Sequence, residues 1–305
     1  MTELFTSEDE LSWWHKTEKE KRWWQPVIKR IVTAGPVPRH VAFVMDGNRR
    51  FAKTHKLGSV VRGHMKGFEQ MVKILDWCRD LGVKEVTVYA FSIENFKRSE
   101  DEVSGLMKLA EQMFQRLLSE KEKLEEKKIA FRFFGNTALL PVTLKRLLAQ
   151  IELETEKYKE GVVNVCLSYT SRDEMARGFE LIRKGREKGL LEEHHITEGL
   201  ISRCLDTRRS RDPDMLIRTS GEKRLSDFLL WQCSTTHIYF DDVLWPEFGY
   251  WNLCKALLSY QYYFFSIKNI RETQIPAEEK EDVTEFLDFV EQTHRETLQR
   301  YIDEV

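Results

Sequence analysis

Six short apolar runs stand apart in this chain, at residues 41–45, 86–92, 129–135, 162–168, 215–219 and 237–240. They are rich in Val, Ile and Phe. Most are separated by long, charged segments of helical period. Residues 65–81 place Phe68, Met71, Val72, Leu75 and Cys78 on one face, and residues 100–128 carry Val103, Leu106, Met107, Ala110, Phe114 and Leu117. Continuous apolar runs of this length are strands buried on both faces. Strands that alternate with helices need crossover connections and lie parallel. The expected fold is therefore α/β, a mainly parallel six-stranded central sheet surrounded by helices. A chain of 305 residues buries roughly 75% of its unfolded surface, enough for a full core.

Composition narrows the class. A formal net charge of -2 and a pI near 6.5 argue against a general nucleic-acid binder. Cys78, Cys166, Cys204, Cys233 and Cys254 are odd in number, far apart and without a Cys-x-x-Cys pair. A disulfide framework or zinc site is not expected, and the chain reads as reduced and cytosol-facing. The acidic, polar N-terminus has no signal-peptide pattern, and no apolar run is long enough for a membrane span.

In open parallel sheets, ligands bind beyond the carboxyl ends of the strands. Three unusual motifs lie at such ends. The first is Asp46-Gly47-Asn48-Arg49-Arg50. Glycine permits close approach of backbone to an anion, a starting helix points its amides at it, and Arg50 adds a charge-assisted bond. Asp46 would repel a bare phosphate, so its presence implies a bridging cation. A carboxylate with phosphate oxygens is a Mg²⁺ arrangement. The alternative is that Asp46 caps the helix and pairs with Arg50. Next comes Gly63-His64, whose histidine is either a donor to a diphosphate or a structural residue. The second strand end carries Ser92, Asn95 and Arg98, as ligand groups or as a capped polar loop. The third runs from Arg218 through Ser220, Gly221, Arg224 and Ser226. An arginine ending an apolar strand is costly without an anion, so this segment reads as a second diphosphate clamp. Two clamps and an interior rich in Phe and Trp point to two phosphorylated substrates, one with an apolar tail.

On these residues the chain resembles the cis-prenyltransferases, the family of undecaprenyl and dehydrodolichyl diphosphate synthases. The matching blocks are residues 40–51 (HVAFVMDGNRRF), 89–98 (YAFSIENFKR), 214–232 (DMLIRTSGEKRLSDFLLWQ) and 243–248 (VLWPEF), within a resemblance over about residues 35 to 265. The eukaryotic dehydrodolichyl diphosphate synthase subunits are the nearest likeness. The resemblance implies that farnesyl diphosphate is extended by isopentenyl diphosphate with new Z double bonds, giving long-chain polyprenyl diphosphate for dolichol synthesis and protein glycosylation. It implies catalytic roles for Asp46, His64 and Asn95, with Asp46 on Mg²⁺. Gly47, Asn48, Arg49, Arg50, Ser92 and Arg98 would meet the allylic diphosphate, and Arg218, Arg224 and Ser226 the isopentenyl diphosphate. It also implies a peripheral place on the cytosolic face of the endoplasmic reticulum.

Three departures stand out. Where bacterial members carry a metal-binding glutamate, this chain reads Thr235-Thr236-His237-Ile238. Where members place an arginine before the Gly-His pair, this chain has Val60, with Arg62 nearest. No Arg-x-Gly segment follows Ile270. The resemblance therefore implies a heteromer with a Nogo-B-receptor-like subunit that supplies this tail, with the late strands and helices as interface. Asp241-Asp242 lacks the third aspartate of the DDxxD motif used by the unrelated trans-prenyltransferases.

The ends differ from the middle. Residues 1–35 read as a Trp-rich amphipathic helix, with Ser7 and Glu10 as a capping box and Trp13 and Trp24 on one face. Trp14, Trp23, Val27, Ile28 and Ile31 extend the stripe, Pro26 can kink it, and Lys16, Lys19, Lys21 and Arg22 form the polar side. Such a helix either meets a bilayer headgroup zone or packs on protein. On the resemblance, residues 36–270 would form the cis-prenyltransferase domain. Residues 271–305 form a C-terminal extension, with Val283, Phe286, Leu287, Val290, Leu298 and Tyr301 at helical spacing and packed in cis or in trans.

Overall fold

The computed structural model describes residues 12–14, 23–273 and 283–304. All six expected strands form, as β1 (His40–Val44), β2 (Glu85–Ser92), β3 (Ile129–Phe134), β4 (Gly161–Tyr169), β5 (Met215–Arg218) and β6 (His237–Phe240). They make one sheet in the order β3-β4-β2-β1-β5-β6, with every pairing parallel. β1 and β5 are buried at every position, as the continuous apolar runs require. Helices α1 (Gln25–Val32), α2 (Asn48–Thr54), α3 (Val60–Asp80), α4 (Glu100–Ser119), α5 (Lys121–Lys127), α6 (Val142–Thr155), α7 (Ser171–Glu187), α8 (Glu198–Ser202), α9 (Tyr250–Thr273) and α10 (Thr284–Asp303) cover the faces.

The connection leaving β1 runs toward β2, while the one leaving β5 runs toward β6. Two neighbouring strands whose exits diverge leave a crevice at their carboxyl ends. Val44 of β1 pairs with Arg218 of β5, so the first and third sequence motifs meet there.

The C-terminal helix packs in cis. Phe286 and Val290 of α10 are buried with Ile182, Leu191 and Leu200, while Leu298 and Tyr301 close on Ala149 of α6. His294 reaches the buried Glu152 at 2.7 Å, and Arg208 pairs with Glu291 at 2.9 Å. A Cβ on Gly185 would stand 2.5 Å from the Phe286 ring, so α7 needs glycine there for α10 to dock. The boundary expected at 270 falls inside α9, which runs to Thr273.

The N-terminal expectation is corrected in part. Ser7, Glu10 and the basic residues 16–22 lie outside the described residues. Trp13 stands in a bend rather than on a helix shared with Trp24. It is buried, its indole N–H donates to the Met113 carbonyl at 2.8 Å, and its ring packs between Phe68, Phe114 and Phe131. Trp24 stacks on Trp251 of α9 at 5.1 Å. Pro26 sits in the first turn of α1, where its missing N–H costs nothing, so it starts this helix rather than kinking one. Trp23, Val27 and Ile31 remain exposed. Among the described residues, no helix is long and apolar enough to cross a membrane.

Candidate functional site

Asp46 stands two residues past the end of β1, and its carbonyl is held by two hydrogen bonds. Its carbonyl accepts from the Thr219 hydroxyl at 2.7 Å and from the Trp245 amide at 3.0 Å. Trp245 is fully buried, and its indole N–H donates to the Gly67 carbonyl at 2.7 Å, which ties the 243–248 block to α3. The Asp46 carboxylate takes the Gly47 N–H on Oδ1 at 2.7 Å and the Arg218 guanidinium on Oδ2 at 2.8 Å. Gly47 has φ 109°, a left-handed conformation that turns the chain into α2. Asp46 therefore pairs with Arg218 and not with Arg50, the partner that the structural alternative gave it.

α2 and α3 fit closely because α3 presents glycines. A Cβ on Gly63 would lie 2.4 Å from the Asn48 carbonyl oxygen, and one on Gly67 would lie 2.2 Å from Asn48 Oδ1. Between these glycines His64 faces the cavity, with an Nε2 that finds no hydrogen-bond partner among the described residues. Burial, with help from the Arg98 and Arg49 charges, lowers its pKa from 6.5 to about 4. The imidazole is thus neutral at physiological pH. Its resonances should stay unshifted in an NMR titration from pH 8 to 5. Because the unfolded chain takes this proton first, stability should fall as pH drops from about 6.5 toward 4, by a few kcal/mol at most. Titration of His64 near 6.5 would contradict this environment.

Ser92 and Asn95 cap the short 3₁₀ helix Ile93–Lys97. The Ser92 hydroxyl accepts from Glu94 N–H, and Asn95 Oδ1 accepts from Ser92 N–H at 3.0 Å. The loop-and-cap reading is therefore correct as local structure, yet both side chains also line the cavity.

At the end of β5, Arg218 is almost wholly enclosed. Its Nη1 donates to Ser226 Oγ at 2.7 Å and to the Arg224 carbonyl, while Nε has no partner among the described residues. Ser226 and Asp227 hold φ of 52° and 58°, a costly conformation for non-glycine residues that survives only when pinned. Ser171 N–H donates to the Asp227 carbonyl at 2.8 Å, and Arg172 pairs with the Asp227 carboxylate at 2.8 Å. Tyr89 stacks on Phe228 at 4.4 Å. Further back, Gln232 donates to Glu174 at 3.0 Å. Burial, reinforced by Asp206, pushes the Glu174 carboxyl up to about 7.

Asp46, His64, Ser92, Asn95, Arg218 and Ser226 lie together on one cavity of about 1230 Å³. Its walls continue inward along Phe68, Phe91, Leu106, Met107, Met113 and Phe114, and Trp13 joins that apolar part. Asp46, His64, Asn95, Gly47, Asn48, Arg49, Arg50, Ser92, Arg98, Arg218, Arg224 and Ser226 are thereby brought to one cavity. Val60 lines it, whereas Arg62 is exposed, lies off the cavity and donates to the Leu57 carbonyl at 3.4 Å. His237 lies at the far end of β6, bonded to Ser259 at 3.0 Å. Asp241 accepts from Val243 N–H and Asn252, a turn-holding role.

Sequence reasoning missed two carboxylates. Glu222 stands 3.6 Å from Arg50 and also pairs with Arg224. Glu102 accepts from Arg98 at 2.8 Å and lies 3.7 Å from Arg49. The Arg98–Glu102 spacing was a visible signal, but such pairs are usually surface features. Among the described residues no group of three His, Cys, Asp or Glu could hold a metal ion by itself. The Asp46 carboxylate at the cavity mouth fits a Mg²⁺ ion that takes its remaining ligands from phosphate and water.

Comparison with known proteins agrees with this geometry. The family model for undecaprenyl diphosphate synthase matches residues 44–264. The human dehydrodolichyl diphosphate synthase complex subunit is 50% identical over 80% of this chain and 73% of its own length. An isoprenyl transferase of Geobacillus kaustophilus is 41% identical over 81% of this chain and 95% of its own. Among solved structures, lavandulyl diphosphate synthase from Lavandula x intermedia, in complex with dimethylallyl diphosphate, has a TM-score of 0.69 and 33% identity, covering 74% of this chain and 95% of that one. With its six parallel strands, its cavity and these relatives, the chain belongs to the undecaprenyl diphosphate synthase family of cis-prenyltransferases, enzymes that elongate prenyl diphosphates.

Proposed function

We propose that the chain is the catalytic subunit of a cis-prenyltransferase that extends farnesyl diphosphate with isopentenyl diphosphate into a long dehydrodolichyl-type product. One observation carries this reading: two arginine clusters flank Asp46 at the mouth of a single apolar cavity. The allylic diphosphate would lie against the Gly47 to Arg50 turn, His64 and Arg98, with its prenyl tail along Phe68 and Phe114. The isopentenyl diphosphate would lie against Arg218, Arg224 and Ser226.

In each addition the allylic C1–O bond breaks and its electron pair leaves with the diphosphate. The double bond of isopentenyl diphosphate closes on C1, and a proton is lost. Arg49, Arg50 and Arg98 face the charge that grows on the leaving group, and neutral His64 offers a donor there. A Mg²⁺ ion held by Asp46 would supply further charge stabilisation when bound. The apolar walls shield the allylic cation from water. Asn95 is held through Oδ1, which leaves its amide N–H₂ to orient substrate.

A heteromer is supported by the human relative being a complex subunit and by the surface of α9. Trp251, Tyr262 and Phe265 are exposed there, beside the edge strand β6. A Nogo-B-receptor-like partner docked on this side would bring its Arg-x-Gly tail toward the Arg218 clamp. The test is to incubate the full chain, with and without such a partner, with both diphosphates and Mg²⁺, and to measure product length. Absence of prenyl elongation in both mixtures would sink the reading.

A peripheral place on the endoplasmic reticulum is supported by the exposed Val27 and Ile31 of α1 and by Trp23 just before it. Their replacement by serine should weaken liposome flotation several-fold without lowering Tm, since none is in the core. Unchanged flotation would remove the membrane role of α1.

A further inference from the structure

Five of the arginines at this site meet three carboxylates, Asp46, Glu102 and Glu222, and these carboxylates are not alike. Asp46 faces Arg218, while Glu222 bridges Arg50 and Arg224, and both acids line the cavity. Glu102 is different. It holds Arg98 at 2.8 Å and stands 3.7 Å from Arg49, but it does not line the cavity. Its side chain is only 12% exposed. It projects from the first turn of α4, where a negative charge is favoured by the helix N-terminus. The next turn of α4 is pressed onto α3, since a Cβ on Gly105 would come within 2.9 Å of Val61. The carboxylate is thus braced from behind, with its two guanidiniums between it and the cavity.

We propose that Glu102 is a positioning residue for the allylic diphosphate. It holds the guanidiniums of Arg49 and Arg98, which come from different segments, as one preorganised cradle. This deepens the reading of the preceding section and rests on it. Two like charges at a cavity wall repel and would swing into solvent, and a shared carboxylate behind them opposes both tendencies. Its position outside the cavity lets it stay in place when an anion arrives, whereas Glu222 must yield its arginines to the ligand.

The sign of one measurement separates this role from simple electrostatics. Removing a negative charge near an anion site should tighten anion binding by Coulomb's law alone. Loss of positioning should weaken it. The probe is farnesyl thiodiphosphate, an allylic diphosphate whose thiolate link resists ionisation, titrated with Mg²⁺ into the full chain and its Glu102→Gln, Arg98→Ala and doubly substituted forms. Glu102→Gln should weaken binding about tenfold, and the double variant should lose clearly less than the product of the two single losses, because the Arg98 contact is shared while the Arg49 contact is not. Glu100→Gln, an exposed acid in the same turn, controls for the helix terminus and should leave binding unchanged. Unchanged or tighter binding by Glu102→Gln, or additive losses in the double variant, would overturn the proposal. Failure of the unsubstituted chain to bind the analogue would instead overturn the functional reading, and this proposal with it.

Discussion

Asp46→Ala is expected to lower kcat by at least about a thousandfold while the protein stays folded. The carboxylate is the cavity's candidate metal ligand, and the removal of a charge-stabilising group at a leaving diphosphate acts on the transition state. The structural cost is smaller. Arg218 loses its 2.8 Å partner, but it retains Ser226 and the Arg224 carbonyl. Asp46 is itself one-third exposed, so the loss should be on the order of 1–3 kcal/mol rather than the larger figure for a fully buried pair. A domain stable by about 5–15 kcal/mol survives that. Asp46→Asn keeps an acceptor for the Gly47 N–H and should still be more than about a hundredfold impaired, since charge rather than shape is lost. Single-turnover rates beside thermal melts give both numbers, and near-normal turnover in either variant would remove the metal role.

Arg218→Gln should act on the other substrate. The side chain is 3% exposed, ends an apolar strand and carries an Nε without a partner among the described residues. A guanidinium kept in such a place needs an anion, and the only carboxylate paired with it among the described residues is Asp46. The KM for isopentenyl diphosphate should rise about a hundredfold or more, with allylic diphosphate affinity changed by only a few-fold. Lysine should rescue poorly, because one ammonium cannot replace a fork that reaches Asp46 and Ser226 together. Equal losses for both substrates would show that Arg218 is a general support and not a clamp for one of them. Both predictions share a feature: Asp46 and Arg218 satisfy each other, so a cation held by Asp46 and a diphosphate held by Arg218 would replace a formed ion pair.

Much of this was legible in the chain, for a physical reason. Central strands buried on both faces read as mainly apolar runs, and each of the six runs, the half-buried edge strand β6 included, marked its strand to within a residue or two. Groups that are costly in a core, such as Arg218 and Asp46, stand out at the ends of those runs. Trp13 was misread because helical spacing predicts a shared face only for residues that are themselves on a helix, and Trp13 stands in a bend. Its bend and its burial against Phe68, Phe114 and Phe131 depend on segments about 50 to more than 100 residues away. Glu102 was overlooked because a pair four residues apart looks alike whether it faces solvent or braces a cradle.

The sequence by itself determined the elements and the chemistry each one carries, since strand burial, helix period and turn glycines are local properties. Only the tertiary structure decided which of these chemistries meet. The order β3-β4-β2-β1-β5-β6 sets β1 beside β5 and brings Arg218 to Asp46 across 172 residues of chain. The same packing placed α10 against α6 and α7 and drew Trp13 into the core. Those choices follow from which apolar faces cover one another, a property of the folded whole and of no single segment.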